Sequence, residues 1–322
     1  MKRPDPDQNG IAMMVVLWVL VLLMALATEF AFSMKMEVNT TRNFKEDVES
    51  YYLAKAGIAM AMAEILKPAR FHSIHPEYGW IAGIPLPKKS AVSTGEEEES
   101  PDFLIRERSN LPLGNGTVTY TITDENGKIS INTAPRDVLI KAVTASGVEA
   151  GEKRDIIADS ILDWIDTDSN HRINGAENDY YRTLNPPYKA KNAKLETLDE
   201  LLRVRGVTKE ILYGSPDGQE GGYQGLDQIF TVYEVSSVNP NTASPEVLSI
   251  LFNESQVKTI LEERATKGYY NDTPSSHFRV QSMGQIDGSQ TRHTIVTVME
   301  KKDDPNQAVL LTHYWNDNFI EP

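Results

Sequence analysis

Acidic and amide side chains recur at alternate positions in residues 166–177, a spacing that could bind a divalent cation. Counted as a calcium loop, the segment offers oxygen atoms at positions 1, 3, 5, 9 and 12 from side chains and at position 7 from a backbone carbonyl. These positions are Asp166, Asp168, Asn170, Arg172, Asn174 and Glu177. Ca²⁺ is a hard cation that takes about six to eight oxygen ligands. The sequence therefore predicts a calcium site in this loop.

The loop departs from the usual calcium-binding pattern at position 6. A glycine normally allows a sharp turn there, whereas this chain has His171 and places Gly175 later. The acidic residues Asp166, Asp168 and Glu177 are stronger ligand candidates than the two asparagines. The alternative is a solvated turn whose Asp and Asn side chains cap the neighbouring helices.

No residue pattern typical of catalysis accompanies these carboxylates. The sequence has no GxSxG, HExxH, P-loop or dinucleotide-binding motif, so we expect no enzymatic activity. His72 and His75 are two lone histidines in a Pro-rich segment and are expected to be solvated. The chain has no cysteine, which excludes disulfides and thiolate chemistry. A net charge of −14 disfavours a surface that binds nucleic-acid phosphates.

Two similar segments and a glycine turn resemble pieces of helix-hairpin-helix units. The segments are INTAPRDVL at 131–139 and NPNTASPEVL at 239–248, each with a proline near a polar helix start. The turn is VRGV at 204–207, with Arg203 and Lys209 beside it. Such hairpins bind DNA in some proteins and serve as packing units in others. The acidic surroundings favour packing, and an envelope-anchored DNA-binding protein is the alternative function.

The N-terminal segment predicts a membrane-spanning helix. Residues 11–28 carry no charge, and eighteen residues of α-helix span about 27 Å, close to the thickness of the hydrocarbon core of a bilayer. Lys2 and Arg3 predict that the short N-terminus is cytoplasmic and that the rest of the chain is exported.

Two kinds of processing are compatible with this segment. The run ALA at 25–27 has the form of a signal-peptidase site, whereas a prepilin leader would be cut between Gly10 and Ile11. No glycine or proline occurs from residue 11 to residue 56, and apolar residues continue at helical spacing to Leu66. One long helix, embedded in lipid first and amphipathic afterwards, favours the prepilin interpretation.

The remaining pattern predicts strands on both sides of a helical block. Residues 116–123 and 128–131 are expected to form a hairpin-like pair, and residues 71–89 are expected to be irregular. A solvated acidic loop is predicted around residues 96–99, and the later strands at 278–286, 292–300 and 307–315. Apolar stripes predict helices at 155–165 and 195–204.

These elements predict an α+β fold: a long N-terminal helix packed on an antiparallel β-sheet, with a helical domain inserted. The predicted divisions are 1–10 for a cytoplasmic leader, 11–34 for the transmembrane half of the helix, 35–131 for the first part of a head, 132–270 for the inserted domain and 271–322 for the last strands of the head.

With these features, the whole chain resembles the general secretion pathway protein K family, minor pseudopilins of the type II secretion system. The resemblance lies in NGIAMMVVLWVL at 9–20, DENGKISINTAP at 124–135, DWID at 163–166, GAENDYY at 175–181, PPY at 186–188, LDELL at 198–202 with Gly206, and residues 238–248. It implies a pilin-like fold whose inserted all-α domain is helix-hairpin-helix or SAM-like.

The resemblance also implies a function at the tip of the pseudopilus. Most pilin-like proteins have a glutamate at the fifth mature position, where this chain has Val15, as the family pattern expects. Without that carboxylate the subunit cannot neutralise the N-terminal amine of a neighbour above it. The family also binds calcium in the helical insert, which supports the predicted loop. Asn178 replaces an aspartate common in the family, so it is a weaker ligand candidate.

The partners implied by the resemblance are two other minor pseudopilins bound through the long helix, the major pseudopilin, the inner-membrane secretion platform, and the prepilin peptidase that cleaves and methylates the precursor. The implied location is the inner membrane of a Gram-negative bacterium, with a periplasmic C-terminal domain. No nucleic-acid partner is expected.

Overall fold

The computed structural model describes residues 6–84, 103–214, 224–302, 308–317 and 319. The acidic loop predicted at residues 96–99, and Lys2 and Arg3 of the predicted leader, lie outside these residues. The α-helices in the described ranges are α1 Pro6–Ile65, α2 Arg136–Ala145, α3 Glu152–Ile165, α4 Asn178–Tyr181, α5 Lys209–Tyr213, α6 Leu226–Ile229, α7 Pro245–Leu251 and α8 Glu254–Lys267. The strands in the same ranges are β1 Phe71–His75, β2 Gly79–Gly83, β3 Phe103–Leu104, β4 Leu111–Leu113, β5 Gly116–Asp124, β6 Ile129–Ser130, β7 Phe230–Thr231, β8 His277–Ile286, β9 Arg292–Lys302 and β10 Val309–Asn316.

Helix α1 is continuous through both halves of the predicted N-terminal helix. It ends at Ile65, three residues before Pro68, whose ring and missing N–H prevent further helix. By length and composition, α1 is the one helix in the described chain that could cross a membrane. Its apolar side chains from Ile11 to Phe44 are exposed, whereas Leu53, Ala54 and Ile58 are buried. The prediction of one long helix with two different environments is confirmed.

The buried half of α1 packs on a five-stranded antiparallel sheet. Within the described residues, the strand order is β10-β9-β8-β5-β4, and α1 contacts β8, β5 and β9. A three-stranded sheet, β1-β2-β3, lies beside it and contacts β5 through β2. A helix on one face of an antiparallel sheet is the α+β arrangement that the sequence predicted.

Two glycines allow the helix to approach the sheet closely. A Cβ atom on Gly284 of β8 would lie 2.2 Å from the carbonyl oxygen of Ser50 and 2.5 Å from the amide nitrogen of Ala54. A Cβ atom on Gly57 of α1 would lie 2.1 Å from Ser282 Oγ. These separations are far below van der Waals contact, so the helix–sheet interface requires glycine at Gly284 in particular.

The helical block, α2 to α8, is inserted between two adjacent strands of the large sheet. Strands β5 and β8 are direct neighbours, paired from Gly116 with Ile286 to Asp124 with Phe278, although α2 to α8 separate them along the chain. The helical block has its own apolar core, which includes Leu139, Ile157 and Phe230.

The predicted hairpin-like pairing of residues 116–123 with residues 128–131 is wrong. Strand β6 pairs in parallel with β7, while β5 pairs with β4 and β8. Asp124 is the physical reason: its buried carboxylate accepts hydrogen bonds from Asn126 N, Asn239 Nδ2, Thr242 Oγ1 and Ser275 Oγ. These bonds fasten the end of β5 to the later part of the chain and direct residues 125–130 away from β5.

The segment from residue 71 is more ordered than predicted. Instead of an irregular stretch, it forms the antiparallel pair β1 and β2, with His72 opposite Ala82. His72 is buried, stacks on Trp80 with a centroid separation of 5.1 Å, and its Nδ1 accepts from Ser275 N. Burial lowers the pKa of His72 to about 3, so this imidazole is a neutral core residue and not a solvated one.

Candidate metal site

The predicted calcium loop connects two helices of the helical block. Asp166 is the C-cap of α3, and Glu177 is the N-cap of α4, so helix ends hold the first and last predicted ligands. Asp166 N bonds Leu162 O, which fixes its backbone to the last turn of α3. Residues 167–175 are exposed or half-buried, and Ala176 is buried.

Glu177 carries the least compensated carboxylate of this loop. It is 2 % exposed, and neither carboxylate oxygen accepts a hydrogen bond; Asp166 Oδ1 is likewise buried without a donor. Burial raises the pKa of Glu177 and the charges of Asp163 and Asp166 raise it further, partly offset by the nearby Asn178 amide and Asn192 side chain. A buried carboxylate without donors is costly unless a cation lies beside it.

Asp163 is a third carboxylate of the group. It is fully buried, and Arg172 Nη1 lies 2.6 Å from Asp163 Oδ1 and 2.6 Å from Asp166 Oδ2. The amide nitrogen of Arg172 also donates to Asp163 Oδ2 at 3.1 Å. Burial raises the pKa of Asp163, partly offset by Arg172. Asp163, Asp166 and Glu177 thus carry three negative charges when ionised, and one guanidinium pairs with two of them.

Asp168, Asn174 and the Arg172 carbonyl have other hydrogen-bond partners. Asp168 Oδ1 accepts from Asn170 N at 2.8 Å, and the Asp168 carbonyl accepts from Asn192 Nδ2. Asn174 Nδ2 donates to Asp159 Oδ2 at 3.2 Å, towards the Arg136–Asp159 ion pair. The carbonyl of Arg172 accepts from Gly175 N.

Gly175 fits its position for a steric reason. A Cβ atom there would lie 1.8 Å from Asp163 Oδ2, so only glycine leaves room for this carboxylate. The loop therefore closes over Asp163 through Gly175, the later glycine, while His171 at position 6 is exposed.

Two functional candidates were missed by the sequence reasoning. Asp163 lies on α3 three residues before the C-cap Asp166, and this i, i+3 spacing was available in the DWID run. Asn192 lies beyond the loop, at a backbone φ of 48°, with its buried Oδ1 lacking a donor. Nothing in the local sequence distinguishes Asn192, because its approach depends on the fold of residues 182–191.

The side chains at this site fit a hard divalent cation. Glu177, Asp166 and Asn192 each present at least one buried oxygen atom without a hydrogen-bond donor. Oxygen atoms of this type are the ligands that Ca²⁺ prefers. Binding by the six loop positions named in the sequence analysis stays a prediction.

The predicted processing residues lie in the exposed part of α1. Gly10 is exposed, and Ile11 is 65 % exposed. A Cβ atom on Gly10 would meet no other atom within 4 Å. Packing within the chain therefore does not explain the glycine at this position.

The glycine turn of the hairpin-like unit is used for packing inside the protein. Gly206 has a φ of 86°, and a Cβ atom there would lie 2.9 Å from Ile157 Cγ1 of α3. Val204 and Val207 are buried on either side of it. Arg205 bonds the Gly175 carbonyl and lies over the ring of Tyr180 at 4.8 Å. Arg205 in this turn thus contacts the loop that carries the candidate ligands.

Comparisons with known proteins agree on one family. Residues 118–213 match the family model of type II secretion system protein K. The putative type II secretion system protein K of Escherichia coli K12 is 22 % identical over 219 residues, covering 64 % of this chain. Protein K of Pectobacterium carotovorum is 25 % identical over 182 residues, and that of Klebsiella pneumoniae 21 % identical over 284 residues.

The matched part of each relative's own length differs between the relatives. This chain matches 60 % of the Escherichia coli protein and 52 % of the Pectobacterium protein, less than two thirds of each, and 77 % of the Klebsiella protein. Among solved structures, the GspK-GspI-GspJ complex of the type 2 secretion system from enterotoxigenic Escherichia coli matches with a TM-score of 0.49 and 18 % identity. That match covers 65 % of this chain and 82 % of the other.

Proposed function

Because this chain belongs to the type II secretion system protein K family, we propose that it is a minor pseudopilin at the tip of the pseudopilus. In this role it initiates and caps pseudopilus assembly for the export of folded proteins across the outer membrane. It has no catalytic task in this role. Its partners are two other minor pseudopilins, the major pseudopilin, the inner-membrane secretion platform and the prepilin peptidase.

The observation that carries this proposal is the exposure of the first half of α1. Large apolar side chains from Ile11 to Met36 are about half exposed or more, while the same helix continues into the core of the head at Leu53 and Ile58. A soluble protein does not leave so long an apolar surface in water. Insertion in lipid, followed by packing among other pseudopilin helices, explains the exposed apolar half of α1. The second half packs in the core of the head.

Val15 supports placement at the end of the filament. It is 57 % exposed on α1, and residues 11–28 contain no acidic side chain. A subunit stacked above would bring a charged N-terminal amine into an apolar environment, which is costly without a counter-charge. The filament therefore ends at this subunit, and the helical block adds bulk above it.

We assign calcium to the loop between α3 and α4, held by Asp166 and Glu177 together with Asp163 and Asn192. When bound, Ca²⁺ supplies positive charge to buried carboxylates and joins the end of α3 to the start of α4. Arg172 would neutralise part of the charge of Asp163 and Asp166 at this site. The binding energy stabilises the helical block.

The function is tested by complementation of a strain whose chromosomal copy has been deleted. Wild-type protein restores the appearance of exported proteins in the medium. Gly10→Val blocks cleavage of the leader and abolishes this export. The matched control, Ala27→Leu, removes the small side chain that signal peptidase would need and leaves export unchanged.

Two outcomes contradict the proposal. One is export that is normal in the deleted strain. The other is the reverse pattern, in which Gly10→Val restores export and Ala27→Leu does not. Immunoblots of the membrane fraction show whether each variant accumulates, so loss of protein is not taken for loss of function.

A further inference from the structure

Three strands of the large sheet bring two histidines and a glutamate together. His277 on β8 is directly opposite Glu300 on β9, and His313 lies on the neighbouring edge strand β10. One ligand atom from each residue lies within 4.8 Å of the others. His313 Nε2 is 2.9 Å from Glu300 Oε2. This cluster is separate from the loop between α3 and α4.

A strand irregularity places His313 in this group. The pairing of β10 with β9 shifts between Thr312 and Tyr314, so His313 is the extra residue of a bulge. Bulges commonly change the direction of a side chain next to a functional site. His277 and Glu300 need no such device, because directly opposed residues on antiparallel strands share one face of the sheet.

We propose that His277, Glu300 and His313 form a binding site for a zinc-class divalent cation. Zn²⁺ binds imidazole nitrogen and carboxylate oxygen at about 2.0–2.2 Å, usually in a tetrahedron whose edges are about 3.4 Å. The separations of at most 4.8 Å are closed by small side-chain rotations. Two imidazoles and one carboxylate favour such an ion over Ca²⁺, which prefers oxygen alone.

The surroundings of the cluster suit a metal ligand set. Ser276 Oγ lies 3.0 Å from His277 Nδ1, and a hydrogen bond donated by Nδ1–H to this hydroxyl would leave Nε2 as the metal ligand. The ring of Tyr233 stacks on His277 and lies 6.0 Å from both histidine rings, which shields one side.

The other side of the cluster is open. The His313 side chain is 39 % exposed, which leaves a fourth position for water. Lys302 Nζ lies 3.5 Å from Glu300 Oε2, and this exposed side chain moves away when the ion binds. The bound ion links three strands, including the edge strand β10, next to Tyr233 from the helical block.

The test uses the full chain in detergent micelles, stripped of metals and returned to saturating Ca²⁺. Titration calorimetry with Zn²⁺ is expected to give one site per chain. His313→Ala and Glu300→Gln each weaken that site by more than about 100-fold, a loss larger than that of an outer-shell partner. His171→Ala is the matched control, since it removes an exposed histidine from the calcium loop, and leaves zinc affinity unchanged.

Co²⁺ gives an independent spectroscopic measurement. Visible absorption typical of tetrahedral Co²⁺ is expected in the wild type and in His171→Ala, and is lost in His313→Ala. An unchanged melting temperature without zinc shows that a variant folds. If only one of His313→Ala and Glu300→Gln folds, that variant alone tests the proposal. The proposal is wrong if the wild type binds no zinc, or if His313→Ala and Glu300→Gln bind it as tightly as the wild type.

Discussion

At the scale of single residues, Glu177 decides whether the α3–α4 loop binds a cation. Its carboxylate is buried without donors beside Asp163 and Asp166, so we predict that Ca²⁺ raises the melting temperature of the wild-type protein. A cation at about 100 times its dissociation constant adds about 2.7 kcal/mol to the free energy of unfolding. In Glu177→Gln we expect most of this gain to disappear, whereas His171→Ala retains it. Equal gains in the wild type and in Glu177→Gln would place the ion elsewhere.

The same substitution has the opposite effect without calcium. Removing a buried, unpaired charge makes metal-free Glu177→Gln more stable than the metal-free wild type. Because the folded-state pKa of Glu177 is raised, this residue favours folding below its unfolded-state pKa and loses that contribution as pH rises through the folded-state pKa. Melting temperatures in EDTA should therefore diverge towards neutral pH, with the glutamine variant the higher. A constant difference across pH would show that Glu177 is not a buried charge.

The loop is predictable as a candidate site from the sequence because its oxygen-bearing residues alternate within twelve positions. Asp166 and Glu177 belong to that pattern and lie near one another in the fold, whereas Asn192 lies outside it. No local pattern groups His277 with Glu300 and His313. Those residues come together only through strand pairing, and the bulge at His313 has no local signature.

At the scale of elements, the fit of α1 on the sheet depends on Gly284. A Cβ atom there would overlap backbone atoms of Ser50 and Ala54, which cannot rotate away. We predict that Gly284→Ala lowers the free energy of unfolding of the full chain by about 1–3 kcal/mol, measured by urea denaturation in micelles. Thr121→Ala on the exposed face of β5 is the control and changes it by about 0.5 kcal/mol or less. If the Gly284→Ala variant is as stable as the wild type, α1 does not pack this closely on β8.

The long elements were predictable and the short ones were not. α1 and strands β5, β8 and β9 have apolar periodicity over many residues, and each was predicted close to its observed bounds. The parallel pair β6–β7 is only two residues long on each side and joins segments about one hundred residues apart. Beside this pair Thr231 Oγ1 donates to Glu125 Oε2 and Lys128 Nζ donates to Asp227 O, contacts between distant segments that no periodicity reveals.

At the scale of the whole molecule, α1 has one half suited to an apolar environment such as lipid and another half packed in the core of the head. The half from Ile11 to Met36 is apolar and exposed, and the half around Leu53 to Ile65 forms part of the core. Cleavage after Ala27 would discard most of the first half, whereas cleavage after Gly10 would keep it. The proposed function requires the second product.

The intact mass of the protein purified from membranes tests this requirement most directly. We predict a mature chain that begins at Ile11, with or without the mass of one methyl group. A chain that begins at Thr28, recovered in the soluble periplasmic fraction, would contradict the account.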